Sequence, residues 1–227
     1  MIITIDGPTA SGKSSIAQLL AHTMHMYYLN TGMFYRALAY VLVHAQHIDV
    51  EQLPTVTQPL LDEVTHQHPF AYTYDLVTGK VCILYHHNDI TSLLKTKEID
   101  YAASLIALNQ GVRTYVLELQ RAYAADKDIV IEGRDCGSVG FPQARIKFFL
   151  TATLEVRAHR WHRSQSKYDN DISLQKAIAY VQDRDIRDMH REIAPLVIPE
   201  HAICIDNSHM DQQQTVERMI DHIQKQS

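Results

Sequence analysis

Apolar residues along this chain fall into two rhythms. Short, largely apolar runs occur at residues 2–5, 129–131, 146–150 and 202–205, the first rich in β-branched side chains, and suit buried strands. Between them lie helical repeats. Ile16, Leu19, Leu20 and Met24 mark a helix over 14–26, and a second is predicted over 33–44 with Thr31 as its N-cap. Helical spacing returns over 96–125 with a break near 109–111, then over 154–164, 172–189 and 212–225. A polar stretch, 164–171, separates two of these helices. Residues 48–90 differ in character. Pro54, Pro59 and Pro69 punctuate them, and alternating runs bearing Tyr72, Tyr74, Val81, Ile83 and Tyr85 flank a hairpin turn at 77–80. Strands alternating with helices imply an α/β fold, a parallel sheet covered on both faces.

Composition narrows the class without naming a function. The chain has 227 residues, 46% of them apolar, enough for one core domain carrying smaller lobes. A formal charge of -5 argues against a nucleic-acid partner, because such binders carry a basic surplus. The start of the chain lacks the basic and long apolar segments of a signal peptide, and no apolar run reaches bilayer length. Cys82, Cys136 and Cys204 are widely spaced and fit neither a disulfide framework nor a metal site. A soluble cytoplasmic protein with reduced thiols is expected. Among the fourteen histidines, His22/His25 and His159/His162 share helix faces, yet neither pair has a further ligand to complete a metal site.

One motif carries chemistry directly. Gly7-Pro8-Thr9-Ala10-Ser11-Gly12-Lys13-Ser14 satisfies G-x-x-x-x-G-K-[ST], follows a strand and opens a helix. The two glycines let successive amides turn toward phosphate oxygens. Lys13 brings a mobile charge to the β- and γ-phosphates, and Ser14 offers a hydroxyl to Mg²⁺. The helix that follows directs its positive end at the anion. Together with Ser15, this loop is expected to bind a nucleoside triphosphate.

Three further segments bear on the acceptor. Arg36 lies one turn into the helix after Asn30-Thr31-Gly32, within reach of an anion. Glu132, Gly133, Arg134 and Asp135 follow a buried strand, whose C-terminal end opens on the ligand crevice of an α/β sheet. Glu132 suits a magnesium shell, and Arg134 and Asp135 a polar substrate. Arg157, Arg160 and Arg163 recur every three residues, and Arg184, Asp188 and Arg191 at i, i+4 and i+7. Each set is expected to share a helix face, either solvated or forming a lid that brings cations to a transferring phosphoryl group.

These segments, with Ile5-Asp6-Gly7-Pro8, Phe141-Pro142 and the run from Arg184 through Arg191 into Ala194-Pro195-Leu196, resemble bacterial-type cytidylate kinases of the nucleoside monophosphate kinase group. The landmarks keep the family's order over nearly the whole chain. The resemblance implies a P-loop NTPase-type core (residues 1–47, 91–155 and 192–227), an inserted monophosphate-binding lobe (48–90) and a short lid (156–191). It implies transfer of the γ-phosphoryl group of ATP to CMP or dCMP, with Mg²⁺, by a monomer. Lys13, Arg157, Arg160 and Arg163 would be the catalytic cations, and Ser14 and Glu132 would hold the metal. Thr31, Tyr35 and Arg36 would help hold the acceptor, and Ser104, Arg113 and Asp135 would surround cytosine. Arg184 and Asp188 would contact its sugar and phosphate region, with Arg191 nearby and Arg134 beside Asp135. Residues 206–208 are the candidate for adenine contacts.

Two residues depart from the family pattern. Trp161 stands where another arginine is common, and Cys136 where an apolar residue is expected. A thiol there is read as packing, since phosphoryl transfer needs no thiolate. Competing readings are a kinase for UMP, another nucleotide or a metabolite such as shikimate, and a nucleotide-binding switch. The absence of an Asn-Lys-x-Asp guanine-reading segment counts against the switch.

Overall fold

The computed structural model describes residues 1–66, 69–166 and 172–225. The chain divides into two compact units: residues 1–28 with 127–227, and residues 29–126. Residues 167–171 of the expected polar stretch lie outside the described residues.

The first unit is built on a five-stranded sheet. Its strands are β1 (Ile2–Asp6), β2 (Tyr27–Asn30, whose end passes into the second unit), β6 (Ile129–Gly133), β7 (Ile146–Thr151) and β8 (Ile203–Asp206). Their order is β2-β6-β1-β7-β8, with β1 central and paired in parallel to β6 and β7. Strand β1 is buried on both faces: Ile3 and Ile5 point one way, Thr4 and Asp6 the other, and none is exposed. Register sets Asp6 beside Gly133 and Phe149, and Thr151 beside Asp206. The C-terminal ends of four strands therefore share one edge of the sheet, where α/β proteins bind ligands. Helix α1 (Lys13–Thr23) packs on β6 and on α8 (Gln212–Lys225), while α6 (Leu154–Gln165) and α7 (Leu174–His190) pack on each other.

The second unit holds α2 (Gly32–His44), α3 (Gln58–Thr65), α4 (Lys97–Ile106) and α5 (Gln110–Ala124) with an antiparallel sheet of β3 (Phe70–Tyr74), β4 (Val81–Tyr85) and β5 (Asn88–Asp89). Alternation along β3 buries Phe70, Tyr72 and Tyr74 and exposes Ala71 and Thr73. Tyr72 packs on Phe34 and Tyr123, with ring centroids 5.8 Å and 4.8 Å away. The hairpin turn forms where expected, because Asp75 Oδ1 accepts the Val77 and Thr78 amides, both at 2.8 Å. Asn109 makes the helix break. Its Oδ1 caps the Val112 amide at 3.1 Å, and its Nδ2 donates to the Pro54 and Val56 carbonyls. Thr31 differs from expectation: it precedes α2 but already has helical φ and ψ (−63°, −30°), and its hydroxyl makes no cap hydrogen bond. Among the described residues no helix is long and apolar enough to cross a membrane.

The tightest point of the first unit is Gly7. It adopts φ 153°, and a Cβ built there would lie 2.0 Å from the Leu150 carbonyl oxygen. Both are backbone constraints, so neighbouring side chains cannot relax to relieve them. Gly7→Ala should lose about 3 kcal/mol or more of stability, as overpacking and backbone strain add. A chemical denaturation midpoint equal to that of the wild type would contradict this.

Candidate active site

The P-loop begins where β1 ends and closes at the first turn of α1. Three residues bend it: Gly7 at φ 153°, Ala10 at φ 58° and Gly12 at φ 94°. Gly12 directly precedes α1, so the helix's free amides and positive dipole end face the loop. Lys13 folds inward over its own loop. Its Nζ donates to the Pro8 carbonyl at 2.6 Å and to Ser11 Oγ at 3.4 Å. Burial, reinforced by the charge of Arg134, lowers its pKa to about 7, against smaller opposing pulls from Glu132, Asp188 and Asp185.

Ser14 and Glu132 come from different elements and meet. Ser14 Oγ donates to Glu132 Oε1 at 2.8 Å, and the Tyr28 hydroxyl approaches the same oxygen at 3.4 Å. A hydroxyl and a carboxylate are hard oxygen donors. They suit Mg²⁺, which takes one or two protein oxygens and fills its other positions with phosphate and water. No group of three or more His, Cys, Asp or Glu able to hold a metal exists among the described residues.

A cationic network lies against the other side of the loop. Arg134 Nε donates to Asp188 Oδ2 at 2.7 Å, and its Nη2 donates to Thr9 Oγ1 at 3.3 Å. Arg184 Nε lies 3.6 Å from Asp188 Oδ2, and Arg191 Nη1 lies 4.0 Å from Asp188 Oδ1. Arg191 Nη2 is also 3.3 Å from Asp135 Oδ1. Burial pushes the Asp188 carboxyl up, but the three arginines outweigh it and hold it below its ordinary value. Burial and the charge of Arg184 work against the Arg134 charge, but Asp188 and Glu132 together outweigh them, so the net shift is upward. Three guanidinium groups around two carboxylates leave a surplus of positive charge.

The arginines of α6 do not form one face. Arg157 is buried, Arg160 half-buried and Arg163 exposed. Helical geometry explains the drift, because steps of three residues fall short of a turn by about 60° each. Arg184 and Asp188, four apart in α7, stay near one face and are both buried, while Arg191 follows the helix end with extended backbone. Arg157 Nη1 donates to the Thr9 carbonyl at 3.0 Å and pairs with Asp185. Arg160 Nη1 donates to Ser11 O at 3.2 Å and to Asn207 Oδ1 at 2.9 Å. Asn207 Nδ2 in turn donates to Ser11 O at 3.0 Å, so residues 206–208 reach the loop. Trp161 stacks on Tyr180 of α7, centroids 4.4 Å apart. It links two helices instead of presenting a charge.

In the second unit Arg36 donates to the Leu94 carbonyl at 3.2 Å and pairs with Asp100. The Arg113 guanidinium lies 5.9 Å from the Tyr35 ring centroid, within cation–π range, and is buried. Thr31 and Ser104 are buried, and Ser104 Oγ has no hydrogen-bond partner among the described residues.

Sequence reasoning assigned no role to two carboxylates. Asp6 is fully buried and accepts the Cys136 and Gly137 amides at 2.8 Å and 2.7 Å, fixing the turn that presents Arg134 and Asp135. Burial raises its pKa to about 6 against those two hydrogen bonds. An acid ending a buried strand was the available signal. Asp185, beside Arg184 in sequence, accepts the Thr9 amide at 2.8 Å. Cys136 is buried, as a packing thiol would be.

The chain matches the family model described as cytidylate kinase over residues 3–225. It is 39% identical to a cytidylate kinase of Chlamydia pneumoniae over 221 residues, covering 97% of this chain and 96% of that protein. It is 37% identical to a cytidylate kinase of Chlamydia muridarum over 220 residues, with the same coverage. Among solved structures, shikimate kinase from Bacteroides thetaiotaomicron aligns with a TM-score of 0.50 at 11% identity. It covers 99% of this chain and 97% of that one, a likeness of fold alone.

The buried Lys13 makes nucleotide binding depend on pH. With its pKa near 7 and the ordinary value 10.5, the unfolded chain holds the extra proton in between, so this group's contribution to stability rises with pH there. A bound triphosphate favours the charged form. Binding at pH 8 should therefore take up close to one proton, and affinity should fall as pH rises above 7. Calorimetry in buffers of different ionisation enthalpy measures the uptake; none at pH 8, or equal uptake in Lys13→Met, would refute it.

Proposed function

The chain belongs to the cytidylate kinase family and is a nucleoside monophosphate kinase, and from that premise we propose that Mg²⁺ and ATP are its donor pair and CMP and dCMP its acceptors. The observation that carries the acceptor assignment is the Arg134, Arg184 and Arg191 network, joined to the P-loop through Thr9. A triphosphate cradle alone would serve any P-loop protein. A second cationic cluster beside it fits an acceptor that brings its own phosphate, unlike a neutral hydroxyl acceptor.

In this reading residues 7–15 hold the triphosphate, with Lys13 over the β- and γ-phosphates. Ser14 and Glu132 would hold Mg²⁺, which would supply positive charge to the phosphates. The proposed catalytic cations are Lys13, Arg157, Arg160 and Arg163, of which Arg157 and Arg160 also donate to loop carbonyls. The residues 206–208 are assigned the adenine side. For the acceptor, Thr31, Tyr35, Arg36, Ser104 and Arg113 are assigned from the second unit, and Arg134, Asp135, Arg184, Asp188 and Arg191 from the first. Ser104 supports the cytosine assignment, because a buried hydroxyl without a partner costs about 1–3 kcal/mol until a ligand satisfies it. A base lacking the matching donor and acceptor pattern would leave such groups unpaired. No general base is required, since the CMP phosphate is already anionic. Its oxygen attacks the γ-phosphorus in line, ADP leaves, and rate comes from positioning and charge stabilisation. We place this reaction in the cytoplasm and assign it to a monomer.

Turnover read by coupled ADP release across CMP, dCMP, UMP, AMP and GMP tests the acceptor. CMP and dCMP should lead; equal use of all five would overturn the cytosine assignment. Lys13→Ala should cut kcat by about 10²–10³-fold, and unchanged turnover would remove the lysine from the mechanism. Ser104→Ala should raise KM for CMP about tenfold while sparing KM for ATP, and equal loss for both nucleotides would contradict its place at the base.

A further inference from the structure

The two peptides that meet at Thr9 of the P-loop are each gripped by a side chain. The Thr9 N–H donates to Asp185 Oδ1 at 2.8 Å, and the Thr9 carbonyl accepts from Arg157 Nη1 at 3.0 Å. Arg157 pairs with Asp185 through the same Nη1, on Oδ2, and its Nε donates to the Ala152 carbonyl at 3.0 Å. Both side chains are buried. Arg157 comes from α6 and Asp185 from α7, so two helices close on one loop residue from outside the cradle.

Asp185 is not placed for chemistry. One oxygen is taken by an amide and the other by a guanidinium, which leaves it unsuited to act as a base. Its negative charge cannot neutralise a transferring phosphoryl group. Nor does burial of such a pair add much stability, since desolvating two ions offsets most of their attraction. What the arrangement does supply is register. With the Pro8–Thr9 peptide held by its N–H and the Thr9–Ala10 peptide by its C=O, neither plane flanking Thr9 turns freely, and the amides that follow inherit that orientation.

We propose that Asp185 is a positioning residue for the triphosphate donor, acting through Arg157 and the two peptides that flank Thr9 to keep the P-loop amides aligned on the phosphates. This rests on the ATP reading above. Sequence position supports a division of labour along α7. Arg184 and Asp188 face the cationic network, and Asp185, about 100° around the helix from Arg184, faces α6 and the loop.

The test is calorimetric binding of Mg²⁺ and adenosine 5′-(β,γ-imido)triphosphate, which needs no acceptor, alongside KM values for ATP and CMP. Asp185→Ala should weaken the analogue and raise KM for ATP about tenfold, with KM for CMP at saturating ATP changed less than about twofold. Asp185→Asn keeps an oxygen for the Thr9 amide and should recover part of the loss. It also serves if the alanine variant fails to fold by circular dichroism. Wild-type analogue affinity in either folded variant, or equal loss for ATP and CMP, would overturn the proposal. A wrong acceptor assignment would show in the monophosphate panel and leave the analogue result standing; a wild type that fails to bind the analogue would overturn both.

Discussion

The site of the first unit depends on carrying a buried ammonium inside a loop of backbone amides. Lys13 has little water around it, and its neighbours are carbonyl and hydroxyl oxygens of its own loop. Such a charge is tolerable only where carboxylates stand within Coulombic reach and an anion is the intended guest. Glu132, Asp185 and Asp188 supply the first condition. Each is then occupied by a second partner: Glu132 by Ser14, Asp188 by Arg134, Asp185 by Arg157. The placement of these arginines therefore follows from the need to balance carboxylates that themselves balance the lysine.

This electrostatic frame is mounted on strand ends. Parallel pairing brings Asp6, Gly133, Thr151 and Asp206 to one edge, so short loops from one side of the sheet can touch. Asp6 ties the β6 turn down through two amides, and Asn207 ties the β8 end to Ser11. The backbone thus sets where the turns lie, and side-chain charge sets what they can hold.

Much of this was legible in the sequence for physical reasons. The strands of the first unit are short and mostly apolar, so they read as compact runs, and the P-loop's constraints on bending leave glycines at fixed positions. The Asn109 break and the hairpin at Asp75 follow from side chains that bind nearby backbone, a local code. The cytidylate kinase family was readable because its landmarks keep their order. Contacts between distant segments were not. Nothing in the spacing of Asp185 and Thr9 announces that 176 residues of separation end in a 2.8 Å hydrogen bond. The arginines of α6 misled for another reason, since a three-residue repeat looks like a face until its drift is followed over two steps. Thr31 has a capping side chain, but its backbone is already helical and it makes no cap hydrogen bond.

Ala10 sits at φ 58° in the phosphate-binding loop, where a methyl group adds steric cost that glycine would avoid. The same methyl group removes conformations that a glycine would sample when the loop is empty. The backbone at Ala10 therefore has less conformational entropy to lose when a phosphate chain enters. Affinity gained in this way needs no added contact with the nucleotide. Two related chains that touch a triphosphate through identical groups would then differ in how fast they release it.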